Sequence, residues 1–260
     1  MRVFVEAVAV LAPGFRDWNS AKAVLAGEQA FQAAPLELVT PACLPPAERR
    51  RSSPTVRLAI AAAEQALSQT PLAPQDMAMV FSSYEAAGVI THQLCEVLAG
   101  SRDVSPTQFH NSVHNAPSGY YSIAMKARLA ASSVCRGKWS FAAGLLNAAA
   151  QALADQVPVF YVCYDSPLPP PLCDVMPVLE ATAIALVLTP TVTPRSLADW
   201  ELALDPGAAE VPWPAWMPAV WQANASARGF AALATLSANP AHGVATLPLS
   251  PELNLQIRRC

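Results

Sequence analysis

Charge is scarce in this chain, and that scarcity narrows its partners first. Of 260 residues only 13% are charged, 16 Lys or Arg against 19 Asp or Glu, for a formal net charge of −3. No basic stripe and no run of interleaved aromatics could follow a phosphate backbone, so a nucleic-acid partner is excluded. Cysteine pairing is absent as a pattern too. Cys43, Cys95, Cys135, Cys163, Cys173 and Cys260 include no C-x-x-C pair, so neither a zinc ribbon nor a disulfide framework is signalled, and a reducing cytoplasm fits. No apolar stretch reaches the roughly 18–20 residues needed to span a bilayer, and a soluble protein is expected. The opening "MRVFVEAVAVLAPGFRDW" superficially looks like a signal peptide, but Glu6 interrupts its apolar run and a buried strand is the better reading. Internal repeats and long low-complexity linkers are missing as well.

What is present is apolar bulk. With 53% hydrophobic residues the chain can bury one large core, or one core and a small appendage. "RVFVEAVAVL" reads as a strand and "DWNSAKAVLAGEQAFQ" as an amphipathic helix entered through a polar cluster. The proline-rich "TPACLPPAERRRSSP", with Arg49, Arg50 and Arg51, reads as a solvated loop in preference to a binding patch. Ser53 as N-cap and Pro54 at the first helical position then open a helix whose apolar face carries Val56, Ile60, Ala63 and Leu67. "DMAMVFSS" is a short buried strand. "AAGVITHQLCEVLAG" is a helix closed by Gly100, with His92 exposed on it. "PSGYYSIAMKARLA" reads as a helix, "SSVCRGKW" as a strand running into a turn, and "SFAAGLLNAAAQALAD" as a helix capped by Ser140. "VPVFYVCYD" and "EATAIALVLTP" are continuous apolar runs of strand length, the mark of strands buried on both faces. This alternation predicts an α/β layer fold.

Beyond residue 190 the pattern weakens. Trp213, Trp216 and Trp221 crowd a proline-rich stretch that reads as a loop pinned to the core by its aromatics, or less simply as a stacking surface for a ligand. "SARGFAALATLSA" suggests a last helix, with "GVATLPLS" and "LNLQIRR" as short strands.

In "QFHNSVHNAPSGYYS", His110 and His114 stand four residues apart. On a helix that spacing shares one face and could share a metal, as in H-E-x-x-H sites. Here the intervening glutamate is absent, no third ligand is near, and Pro117 with Gly119 puts the pair at the end of a loop; no metal is expected.

The segment from "VSPTQFHNSVHNAPSGYYS" through "CRGKWSFAAGLLNAAAQAL" resembles the core of the β-ketoacyl synthases. Ser105, Pro106, Ser112, Asn115 and Gly119 match that family's loop-to-helix positions, and "VAVLAPG" and "EATAIALVLTP" match its first and later strands. The resemblance covers residues 1–190, the first half of a normal synthase, and leaves 191–260 as a short Pro/Trp-rich extension packed on it. It is closest to the short, chain-length-factor-like homologues of aryl polyene pathways. The fold implied is thiolase-like α/β.

The resemblance also implies roles. A condensing enzyme needs a thiolate at a sharp strand-to-helix turn, where the helix N-terminus lowers its pKa. That position falls on Lys138, which would be protonated near neutral pH and could not accept an acyl group without strong desolvation. Cys135 lies three residues earlier and is expected to be a buried structural thiol. The family's histidine pair has one faint counterpart, His242, which reads as chance. His110 and His114 are then either polar residues hydrogen-bonded in an ordered loop or part of a surface shaping a partner's acyl tunnel. The family pairs through the strand entering the nucleophile turn, here Ser132, Ser133, Val134, Cys135 and Arg136. The expected partner is a full-length β-ketoacyl synthase, or a second copy, with acyl carrier protein reached through that partner and no cofactor. The alternative is a free-standing acyltransferase or thioesterase using Cys135 with His110 or His114.

Overall fold

The computed structural model describes residues 1–37, 40–85, 87–237 and 243–260. His242 lies outside them. An eight-stranded mixed sheet runs through the centre in the order β3-β2-β4-β5-β1-β6-β8-β7. In chain order the elements are β1 (Arg2–Leu11), α1 (Trp18–Leu25), α2 (Pro46–Arg51), α3 (Pro54–Leu67), β2 (Ala78–Ser83), α4 (Gly88–Ala99), α5 (Pro106–Asn111), α6 (Ala116–Met125) and β3 (Ala131–Cys135). There follow α7 (Ser140–Asp155), β4 (Val159–Asp165), α8 (Leu172–Val175), β5 (Thr182–Thr189), β6 (Ala198–Pro206), α9 (Gly229–Ser237), β7 (Val244–Ser250) and β8 (Leu253–Arg259). β2 pairs in parallel with β3 and β4, and the remaining pairs are antiparallel.

Helices cover both faces, which is why the central strands carry no polar face. Along β4, Val159, Tyr161 and Cys163 enter the core under α7, α9 and α1, while Phe160, Val162 and Tyr164 enter the core under α3 and α6. β5 divides in the same way, with Ile184, Leu186 and Leu188 on one side and Ala183, Ala185 and Val187 on the other. Continuous apolar runs belong to such doubly covered strands, even where, as in β5, both neighbours are antiparallel. Glu6 sits at a register shift in β1 between Val5 and Ala7. There Thr70 Oγ1 and Thr193 Oγ1 donate to its carboxyl oxygens at 2.5 and 2.9 Å, so the buried polar group is not left without partners.

Several local expectations change. α1 stops at Leu25, seven residues before the expected end of the amphipathic stretch at Gln32, and Gly27 with φ +74° takes the chain out of the helix. The arginine triplet forms the last turn of α2, not a loop: Pro46 opens the helix and Glu48 stands in its first turn. Ser53 caps α3 as expected, accepting from Val56 N at 3.2 Å. Ser140 does not cap α7; it is the first helical residue, its hydroxyl donating to Gly137 O at 2.7 Å and accepting from Arg136 N at 2.7 Å. His92 is half-buried, with Nε2 3.4 Å from Glu96.

The division expected at residue 190 falls between β5 and β6, and the sheet continues through it. β6 was not foreseen. Its inward Ala198, Trp200 and Leu202 alternate with Asp199, Glu201 and Ala203, and it pairs with β1. The tryptophan-rich loop is anchored by Trp216 and Trp221, which pack with each other and with Phe15, Phe31 and Phe230 at ring-centroid separations of 5.2–6.4 Å.

Candidate functional site

β3 is one edge of the sheet, bonded to β2 alone with Val80 opposite Ser132 and Ser83 opposite Cys135. Its residues are only half-buried or exposed, unlike every residue of β2 and β4. Past Cys135 the chain reverses through Gly137, whose φ of +56° suits a residue without a Cβ, and enters α7 at Ser140. α7 then lies unusually close to the sheet. A Cβ at Gly144 would stand 2.6 Å from Tyr161 Cε2 and 2.8 Å from Ser82 Oγ, so glycine is what permits the approach. Tyr161 completes the contact, its hydroxyl donating to Phe141 O at 2.7 Å and lying 2.9 Å from Ser82 Oγ.

Lys138 is exposed within this strand-to-helix turn, its Nζ 5.6 Å from the Trp139 ring centroid. Cys135 is not the buried thiol that was expected. It is exposed at the end of the edge strand, and its Sγ donates to Tyr84 O at 3.0 Å. As the last residue of β3 it is paired with Ser83 of β2 on one side and has no strand on its outer side among the described residues. Neither histidine is among its hydrogen-bond partners in the described residues. His110 belongs to α5 and packs edge-on against Tyr120 at 5.7 Å, while His114 lies in the turn before α6. The two therefore do not share a helix face. His114 also departs from the picture of a hydrogen-bonded loop residue: its Nε2 is buried without a partner among the described residues, and burial holds its pKa below the usual 6.5. Among the described residues no group of three or more His, Cys, Asp or Glu is arranged to hold a metal.

Beside the histidines, α2, α5 and α6 enclose an apolar cavity of about 370 Å³, lined by Leu44, His110, Val113, Tyr120 and Ile123 among others. Ile123 is 78% exposed and Phe109 64%, so an apolar surface faces outward here. α6 leads on to β3, and Ser118 on it meets Ser133 at 3.4 Å between hydroxyls.

Sequence reasoning missed a second cluster behind the turn. Asp165, at the end of β4, is buried and accepts from Tyr84 N at 2.8 Å, Ser226 N at 2.7 Å and Ser226 Oγ at 2.6 Å. Desolvation raises its pKa against the opposing pull of the Ser226 hydrogen bonds. Ser226 opens the short 3-10 turn Ser226–Arg228, and Arg228 reaches the cavity beside Lys138. A charged residue ending an apolar strand, as in "FYVCYD", was the available signal for Asp165; nothing local marked Arg228.

A three-layer sandwich with an exposed edge strand, a tight left-handed turn and a long helix laid close on the sheet defines a thiolase-like ketosynthase fold, in its N-terminal half. The family described as β-ketoacyl synthase, N-terminal domain, matches residues 16–232, and the chain belongs to it. Among solved structures, the chain is similar over its whole length, and the whole of the matched chain, to a ketosynthase (ApeO) in complex with its chain length factor (ApeC) from Xenorhabdus doucetiae, at 23% identity and a TM-score of 0.73. A β-ketoacyl synthase from Burkholderia phymatum STM815 is matched at 12% identity and a TM-score of 0.69, over 100% of this chain and 99% of that one. The ishigamide ketosynthase/chain length factor is matched at 15% identity and a TM-score of 0.58, over 80% of this chain and 65% of that one. A search of curated proteins finds no match. Among the described residues no helix is long and apolar enough to cross a membrane.

Proposed function

We propose that this chain is a non-condensing partner of an active β-ketoacyl synthase, completing a dimer and bounding the acyl tunnel in the manner of a chain length factor. The observation that carries the reading is Lys138, an exposed ammonium in the β3–α7 turn where the family resemblance puts a condensing thiol. An ammonium is no acyl acceptor at neutral pH. The open edge of β3 supports pairing, since an unpaired strand flanked by apolar surface is a hazard that a partner strand removes. Ser132, Ser133, Val134, Cys135 and Arg136 form that contact, with a full-length synthase or, in its absence, a second copy. Such obligate interfaces bury ~2,000 Å² or more in total. Cys135 would then be covered by the partner strand.

The surface of α5 and α6, with Phe109, Val113 and Ile123 facing outward, borders β3 through the Ser118–Ser133 contact and extends the same interface. His110 and His114 shape the tunnel wall beside it. In this reading residues 1–190 carry the ketosynthase-like part and residues 191–260 complete it. The acyl carrier protein is engaged through the partner, in the cytoplasm, and the pathway is of fatty acid, polyketide or aryl polyene type; the chain length factor complex among the similar structures favours this class. The exposure of Cys135 is the one feature favouring an acyltransferase or thioesterase instead. Incubating the isolated protein with malonyl and acyl thioesters separates the two. Neither chain extension nor covalent acylation is expected; acylation mapped to Cys135 would favour the alternative, and extension would contradict both.

A further inference from the structure

Behind the β3–α7 turn lies a concave polar cavity of about 330 Å³ whose walls come from four distant parts of the chain: Lys138 and Trp139, Glu210 with Trp213, Arg228, and the β7–β8 turn at Ser250. The Arg228 guanidinium makes no hydrogen bond to protein among the described residues, and its Nε is buried without a partner. It is held over Trp213, 5.4 Å from the ring centroid, as Lys138 is held over Trp139 at 5.6 Å. Glu210 lines the same cavity, yet it forms no ion pair with either cation. A buried guanidinium N–H left without an acceptor is costly, whereas an oxyanion would satisfy it with a charge-assisted bond.

The position of Arg228 is itself fixed. Asp165 grips Ser226 through two hydrogen bonds, two residues before Arg228, and so sets the 3-10 turn that presents the guanidinium to the cavity. Asp165 attracts the Arg228 guanidinium through space, but its oxygens are engaged by Tyr84 N, Ser226 N and Ser226 Oγ and none of them accepts a hydrogen bond from Arg228.

We propose that this cavity is an oxyanion site, in which Arg228 and Lys138 hold the carboxylate or phosphate group of a small ligand between Trp139 and Trp213. Glu210 opposes the ligand's charge and sets the affinity. The site stands on this geometry alone and does not depend on pairing with a synthase.

Calorimetric titration of the full chain at low ionic strength, with sodium phosphate and separately with sodium acetate, tests this. One saturable site is expected for at least one of the two ions. Lys138→Met and Arg228→Met should each weaken it about tenfold, which is about 1.4 kcal/mol, and Glu210→Gln should tighten it. Binding in one arm alone assigns the group as phosphate or carboxylate, and binding in both assigns a general oxyanion site. Lys138 is exposed, so Lys138→Met and Glu210→Gln decide the matter even if Arg228→Met fails to fold. No saturable binding of either ion, or binding that neither of those two variants alters, would overturn the proposal.

Discussion

Asp165 Oδ2 accepts from both the backbone N and the Oγ of Ser226, at 2.7 and 2.6 Å, and so ties the end of β4 to a turn sixty-one residues further along the chain. Thr182 on β5 joins the same knot: its Oγ1 lies 2.5 Å from Ser226 Oγ and accepts from Asn224 Nδ2 at 2.8 Å. The segment after residue 190 is therefore bound into the sheet's interior through polar groups as well as through its tryptophans. Ser226→Ala should cost about 1–3 kcal/mol, because it removes a donor from a buried carboxylate, and chemical denaturation would measure it. A loss within experimental error would show that the knot contributes little.

The approach of α7 to the sheet gives a second expectation. Gly144→Ala places a methyl group against Tyr161 and Ser82, neither of which is free to retreat from the core. A loss of about 1–3 kcal/mol is expected for such overpacking, with an unchanged denaturant slope. An alanine variant as stable as the wild type would mean that the helix shifts outward freely.

His114 gives a pH dependence whose sign is fixed by burial. Its folded pKa lies below 6.5, so in the window just below that value the unfolded chain binds more protons than the folded one. Its contribution is fully present above pH 6.5 and is lost as pH falls through the window. Replacing it, as in His114→Gln, should flatten the fall of the melting temperature on acidification over that range. A variant with the same acid slope as the wild type would place the titration elsewhere.

Lys138→Cys puts a thiol at the turn but adds no histidine to act as acid or base beside it. It should acquire no malonyl-thioester-dependent chain extension. Extension by this variant would show that the turn lacked only its nucleophile.

Much of this fold was legible because its strongest signals were local. Ser53-Pro54 starts α3 by capping alone, and the unbroken apolar runs of β4 and β5 follow from helices on both faces of the sheet. β6 escaped notice although Trp200 and Leu202 alternate with Asp199 and Glu201, because proline-rich flanks obscured a short period-two pattern. α1 was read too long because the residues after Leu25 keep a helical composition while Gly27 turns the chain away. At the candidate site, the turn carrying Lys138 could be placed from motif order. Arg228 and Glu210 could not, since only the folded chain brings them beside it. The exposure of Cys135 was missed for a related reason: sequence shows a strand, but not that the strand is an edge.

Pairing through β3 is the centre of the account, and the molar mass of the purified assembly tests it most directly. Co-expressed with a full-length β-ketoacyl synthase, the chain should elute as a one-to-one complex in size-exclusion chromatography with light scattering, and alone as a dimer. Val134→Asp, which would place a charge in the proposed interface, should abolish both while circular dichroism confirms that the variant is folded. A wild-type chain that remains monomeric at high concentration, both alone and beside the synthase, would contradict the account, as would a complex that survives Val134→Asp unchanged.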